Sequence, residues 1–427
     1  MAATGAGSLL AVFGLTGDVA RAEELVHSTM PRRPADPATR PDAVRAVQDF
    51  GADLYRRLAA APGNAARPGN LVCSPYSVLV ALAMTRNGAR GRTAEEMGRV
   101  LHAPPPGRLN SGLNGLQALL ASRAGDRRKP DGSSGRVSLD VANSLWGQRG
   151  EGWLPPFLDA LARDYGAGMR VVDYTRDSER ARGEINRWTA GRTHGRIPRI
   201  LPEGSIDQST RLVLVNAVYF KAPWQQPFPA GDAPPGPFTR LDGSRVTVPM
   251  MSAVLHRASY AEGAGWAAVS LPYLGGQLAM AVVVPDQGRL AEVERGLDGP
   301  ATGRLLASLA PVRVEVSMPK WTFRTDVELS DILAGLGMPT AFTTAADFSG
   351  MTTQEQLLVS GVFHGAFIEV DEEGTEAAAA TAVGTTAVSA PLAQRTLVVD
   401  RPFLFFVYDV ETATPLFLGR VTDPAPA

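Results

Sequence analysis

Residues able to do chemistry are sparse in this 427-residue chain, and their spacing suits no enzyme. The five histidines stand at 27, 102, 194, 256 and 364, without the short repeats of a metal-ligand set. Ser389, His364 and an aspartate could be drawn as a hydrolase triad, but no Gly-x-Ser-x-Gly elbow accompanies them. Phosphate-binding and dinucleotide-binding glycine fingerprints are absent as well. The single cysteine, Cys73, lies in the apolar run NLVCSP (70–75) and reads as a small buried hydrophobe. An enzyme is therefore not expected, nor a cofactor, nor a bound metal. What remains is a segment whose chemistry is that of backbone pairing. Thr375 to Ala387 is small and β-tolerant, with Glu376 as its one ionised group. Such a stretch is either a flexible linker or a strand without a sheet. Strongly apolar strands flank it, and too little chain follows to build a further domain.

The elements that would position this segment can be read from periodicity. Val47, Phe50, Leu54 and Leu58 predict a helix opening near Asp42, with Asp42 as its cap. Asn70 to Val80 leads into a second helix, and Thr93-Ala94-Glu95-Glu96 resembles a capping box opening a third. Gly125 to Arg136 reads as a polar loop. Leu212 to Lys221 is nearly all apolar, as in a strand covered on both faces. Trp266 to Tyr273 and Gln277 to Pro285 form a hairpin about Gly275-Gly276, and residues 312 to 318 alternate as a half-buried strand. Leu329 to Leu336 returns to a helical pattern that ends at Gly337. Helices and strands mix without regular βαβ spacing, which predicts an α+β fold.

Composition adds bounds. With 44% hydrophobic and 20% charged residues and a net charge of −1, the chain is an ordinary globular protein with no field for nucleic acid or anionic membrane. No run is long enough to span a bilayer. Residues 1–41 read as a disordered extension, rich in Pro and Arg over 27–41, and 42–425 as one domain. The apolar run at 8–15 lacks a preceding basic residue and makes a poor signal peptide.

The C-terminal part carries a resemblance. HGAFIEVDEEGTEAAAAT (364–381), DRPFLFF (400–406) and FLGRVTDP (417–424) are similar to the C-terminal signature of the serpins. NLVCSPYS (70–77), LVNAVYFKAPW (214–224) and INRW (185–188) with Thr193, Gly195 and Ile197 resemble three further family segments, in family order. The abundance of Ala, Arg, Gly and Pro suggests a GC-rich, bacterial source.

The resemblance implies the serpin fold: mixed β-sheets, eight or nine helices and an exposed reactive-centre loop at about 372–397. It implies a monomeric suicide-substrate inhibitor, with a serine protease as covalent partner and no cofactor. It assigns the hinge to Glu372, Glu373, Gly374, Thr375, Glu376, Ala377, Ala378, Ala379 and Ala380, and family spacing puts the reactive bond at Val388-Ser389, open to a shift of one residue. A small aliphatic residue there suits an elastase-like or subtilisin-like protease. Ser74, Ser77, Asn216 and His364 match the polar cluster that controls sheet opening. Lys320 and Trp224 match the pair beneath the insertion point, with Lys320 facing Glu372. The sequence has Lys221-Ala222-Pro223 where the family usually has Lys-Gly before the tryptophan. The alternative is a non-inhibitory serpin-fold carrier or binding protein. The expected location is the extracellular space, with the cytoplasm as the alternative.

Overall fold

A computed structural model describes residues 24–61, 69–129, 132–231, 233–375 and 393–425. Among these residues are nine α-helices and three β-sheets. The strands of the main sheet are, in chain order, β1 (Glu24–Val26), β2 (Ser134–Gln148), β3 (Met169–Val172), β4 (Leu212–Pro223), β5 (Trp321–Glu328), β6 (Gly361–Val370) and β7 (Gly374–Thr375). They lie side by side as β1-β3-β2-β4-β7-β6-β5, and the short strand Gly125–Arg128 pairs with the start of β2. β4 and β6 run parallel and pair directly from Val213 to Val218 and from Gly361 to Ala366. Above that level they part, and β7 sits between them, antiparallel to both.

The continuous apolar run expected over Leu212 to Lys221 is β4, buried along nearly its whole length. One face of the main sheet rests on a seven-stranded sheet that contains the predicted hairpin, Trp266–Pro272 with Leu278–Pro285, and the C-terminal strands Phe403–Asp409 and Thr414–Val421. Helix α1 (Arg40–Ala60) and helix α2 (Pro75–Arg86) share this core, and every residue of α2 from Pro75 to Thr85 is buried. Across the other face lies helix α3 (Ser178–Arg192) with the segment after it. Ile185, Trp188 and Ile197 pack there against Trp146, Val213, Val215, Ala217 and Phe363. A four-stranded sheet holds Arg395–Val398, where the chain returns after residue 392.

Several local expectations need correction. Asp42 lies in the first turn of α1 rather than at its cap, paired with Arg45 and Arg108. The helix expected to open at Thr93 opens instead at Gly91 (Gly91–Val100): Thr93 Oγ1 accepts from the Asp347 N–H and Glu96 from the Thr340 N–H, so neither side chain closes a capping box. The loop expected at 125–136 is in part a hairpin, since Gly125–Arg128 pairs with Ser134–Val137. The extension expected to be disordered is packed onto the body from residue 24 to 41. β1 adds to the sheet edge, Arg33 pairs at 2.6 Å with the fully buried Asp164, and Arg32 reaches Asn114 at 2.7 Å. Those partners lie more than 80 residues away and leave no mark on local composition.

Candidate functional site

The seam between β4 and β6 carries two groups of polar residues, one at mid-height and one at its open end. At mid-height the register sets Asn143 of β2, Asn216 of β4 and His364 of β6 side by side. His364 Nδ1 lies 2.5 Å from Asn216 Oδ1, a bond across the seam itself. The backbone N–H of Ser74 donates to His364 Nε2 at 3.1 Å. That donor fixes the tautomer: Nε2 accepts, so the proton sits on Nδ1 and points at Asn216. The Asn216 amide donates to Ser77 Oγ and Asn143 Oδ1, and Ser77 Oγ donates to Asn143 Oδ1 at 2.6 Å. Ser74 caps α2 by accepting from the Ser77 N–H, which places both serines under the seam. Ser74, Ser77, Asn216 and His364 are fully buried, and burial lowers the imidazole pKa to about 4.

At the open end the chain leaves β6, turns at Asp371 and re-enters the sheet as β7. The Asp371 carboxylate accepts from the N–H groups of Glu373 and Gly374 at 2.9 and 3.0 Å, which ties the turn. Desolvation raises the pKa of this carboxyl, opposed by those two donors. Trp224 donates from its indole to Asp371 O at 3.0 Å and from its backbone to Glu373 O at 2.8 Å. Phe228 N–H donates to Glu372 O, and Lys320 Nζ meets the Glu372 carboxylate at 2.5 Å. Thr375 is buried, paired with Ala222 and Val370, and its hydroxyl lies 2.6 Å from that of Tyr273. Tyr273 stacks on Trp224 at 4.6 Å, with the rings 10° apart.

The structure thus brings Ser74, Ser77, Asn216 and His364 into one network, and Lys320, Trp224, Glu372, Glu373, Gly374 and Thr375 into another. Glu376, Ala377 to Ala380, Val388 and Ser389 lie outside the described residues. Asn143, Tyr273 and Asp371 belong to these networks, and sequence reasoning missed them. An asparagine inside the β2 pattern VANSLW was the available signal for Asn143; Tyr273 gave none. Among the described residues, no group of His, Cys, Asp and Glu could hold a metal ion, and no helix is long and apolar enough to cross a membrane.

Gly374 is required by close approach. A Cβ there would stand 2.2 Å from Ala222 O and 2.7 Å from Pro223 Cα, both backbone atoms. The cheapest relief is to unseat β7. Gly374→Ala is therefore expected to speed limited proteolysis within 371–375 by about tenfold, as the open population grows. An unchanged cleavage rate would show that the close packing at Gly374 does not hold the turn.

Comparison with known proteins places this geometry. The family model described as Serpin (serine protease inhibitor) matches residues 45–424. An uncharacterized serpin-like protein of Thermococcus kodakarensis is 39% identical over 387 residues, covering 89% of this chain and 85% of that one. The leukocyte elastase inhibitor of Homo sapiens is 35% identical over 386 residues, covering 88% and 97%. The crystal structure of the thermophilic serpin tengpin in its native state superposes with a TM-score of 0.79 at 27% identity, covering 93% and 97%. With the family model spanning nearly the whole described body and the α+β architecture in agreement, the chain belongs to the serpin family, whose members are inhibitors of serine proteases and not enzymes.

Proposed function

We propose that this protein traps a serine protease of the elastase or subtilisin type as a covalent acyl-enzyme. The protease serine attacks the Val388 carbonyl, the Val388-Ser389 amide breaks, and the new amine of Ser389 takes up a proton. The segment after Thr375 then follows β7 into the main sheet between β4 and β6 and carries the attached protease with it. Relatives named leukocyte elastase inhibitor, together with a small aliphatic residue at the bond, support the protease class.

One observation carries the reading: β7 already occupies the insertion path, antiparallel to both neighbours. Its register can be continued. Continued from Gly374 and Thr375 in the inserted strand, it would set Thr381, six residues on, opposite Asn216 on β4 and His364 on β6. Separating the strands breaks the Asn216–His364 bond and would leave two buried polar groups without partners. A threonine hydroxyl can both donate and accept, so Thr381 arriving at that level offers each of them a partner. The other inward positions, Ala377, Ala379, Val383 and Thr385, are small and uncharged. About a dozen added ladder hydrogen bonds, at roughly 1 kcal/mol net each, give a driving force on the order of 10 kcal/mol. In this reading the mid-height network keeps the seam closed and the Lys320–Glu372–Trp224 group seats the hinge.

The test is a denaturing gel after mixing with an elastase-like and a subtilisin-like protease. A band near the summed masses that survives hot SDS is expected, with a released peptide beginning at Ser389 by mass spectrometry. The cut protein is also expected to melt at a markedly higher temperature than the intact one. Clean cleavage with neither adduct nor melting shift would sink the proposal.

A further inference from the structure

We propose that Tyr273 is a positioning residue that holds the hinge at its resting depth in the main sheet, through the bond between its hydroxyl and that of Thr375. The effect on trapping rests on the inhibitory reading above; the positioning does not.

Tyr273 comes from the other sheet. It follows the strand Trp266–Pro272 at a tight turn in which its N–H donates to Leu278 O at 2.9 Å and Gly276 N–H donates back to its carbonyl at 2.8 Å. An isolated backbone bridge to Trp224 holds the residue, and ring contacts with Trp224 and Phe220 hold its side chain. The phenol is fully buried, and burial holds it in its protonated form. Its partner is Thr375 Oγ1 at 2.6 Å, on the first inward-facing residue of the bait segment. The tyrosine is rigid and the threonine is the movable half of the pair.

The bond acts in one direction. If the strand lengthens by entering further between β4 and β6, Thr375 keeps its place beside Ala222 and the bond survives. If the hinge withdraws, the Tyr273 hydroxyl stays buried and loses its partner. Leaving a buried hydroxyl unpaired is costly, while forming a new one in water returns little. Tyr273 therefore opposes withdrawal and leaves insertion free, so the strand begins from a seated first pair of residues. Nucleating a strand is the slow part of extending it, which makes this start a determinant of how often trapping outruns hydrolysis of the acyl-enzyme.

The experiment is hydrogen exchange with mass spectrometry on the intact protein, without any protease. Tyr273→Phe keeps the ring and its stacking and is expected to speed exchange of Asp371 to Thr375 by about tenfold. Thr375→Val removes the same bond from the other side and should do likewise, and the double variant should exceed neither. Thr375→Ser keeps the hydroxyl and should behave as the parent. A merely structural role for the ring would instead spread the change into Trp266–Pro272 and Leu278–Pro285. Hinge exchange unaltered in Tyr273→Phe, or additive effects in the double variant, would overturn the proposal. Trapping by Tyr273→Phe should need several-fold more inhibitor per protease. If the parent forms no adduct while Tyr273→Phe still loosens the hinge, the positioning stands and the inhibitory reading falls.

Discussion

Thr375→Arg is expected to turn the protein from an inhibitor into a substrate of its target protease. Thr375 is 2% exposed, lies beside Ala222 and Val370, and points at the Tyr273 hydroxyl under the Trp224 ring. An arginine there must bury a guanidinium against the Tyr273 phenol and the Trp224 ring, or keep the hinge out of the sheet. Burial of an unpaired charge costs several kcal/mol, while rotation of the hinge outward costs only the contacts of two residues. The hinge will take the second course. Insertion then starts without a seated strand, and an added barrier of about 3 kcal/mol slows it on the order of 10²-fold. In the trapping mechanism proposed above, deacylation then wins that race. The measurement is the number of inhibitor molecules consumed per protease inactivated, with the adduct band on a gel as the second reading. Thr375→Ser is the control that should keep trapping intact. An arginine variant that traps at the parent's ratio would show that the inward face at Thr375 does not govern insertion.

Acid is expected to weaken the resting structure between pH 6.5 and 4, through His364. The imidazole accepts from Ser74 N–H and donates to Asn216, so a second ring proton would set donor against donor in a dry site. Burial accordingly lowers its pKa to about 4, against about 6.5 for a free histidine. Above pH 6.5 the ring is neutral folded and unfolded, and its contribution is complete. As pH falls below 6.5 the unfolded chain takes up a proton that the folded one refuses, and stability declines by about 1.4 kcal/mol per pH unit. The loss amounts to about 3 kcal/mol near pH 4 and stops below it, where the folded form is protonated too. Unfolding free energies from urea titrations at pH 7.5 and pH 5 should differ by about 2 kcal/mol more in the parent than in His364→Gln, which cannot titrate. Equal separations would mean that the ring is not held neutral by its site. The expected sign is a loss on acidification, opposite to that of a surface histidine paired with a carboxylate.

How much of this could be read from sequence depends on the range of the signal. The apolar run of β4 and the glycines of the 275–276 turn each state their environment locally, and each was legible. The four residues of the seam network were legible only together, because a lone His364 says little until Asn216 on a doubly covered strand supplies the partner. Asn143, Tyr273 and Asp371 were not legible, since their roles come from which strand happens to lie beside them. Tyr273 stands in a hairpin of a different sheet and meets Thr375 only in three dimensions. The extension shows the same limit from the other side: proline and arginine over 27–41 suggest disorder, yet Arg33 has the buried Asp164 to meet. The start expected from the Thr93–Glu96 capping box erred because both side chains of the box met partners far along the chain, Asp347 N–H and Thr340 N–H.

The parallel pairing of β4 with β6 also bears on how the protein folds. Asn216 and His364 lie 148 residues apart, whereas β6 and β7 are joined by the short turn at Asp371. Hairpins close in about 1–10 μs, and distant pairs close far more slowly because the loop between them must be ordered first. The near pairing therefore has every opportunity to run on past Thr375 before the distant one forms. It would also gain from doing so, since antiparallel ladders hold slightly better per residue than parallel ones. A chain that arrives with β4 against β6 has closed its slow contact before its fast one could spread. The resting form is then a product of the order of events during folding, and a substitution that delays the meeting of β4 and β6 would lower the yield of that form without touching its finished contacts.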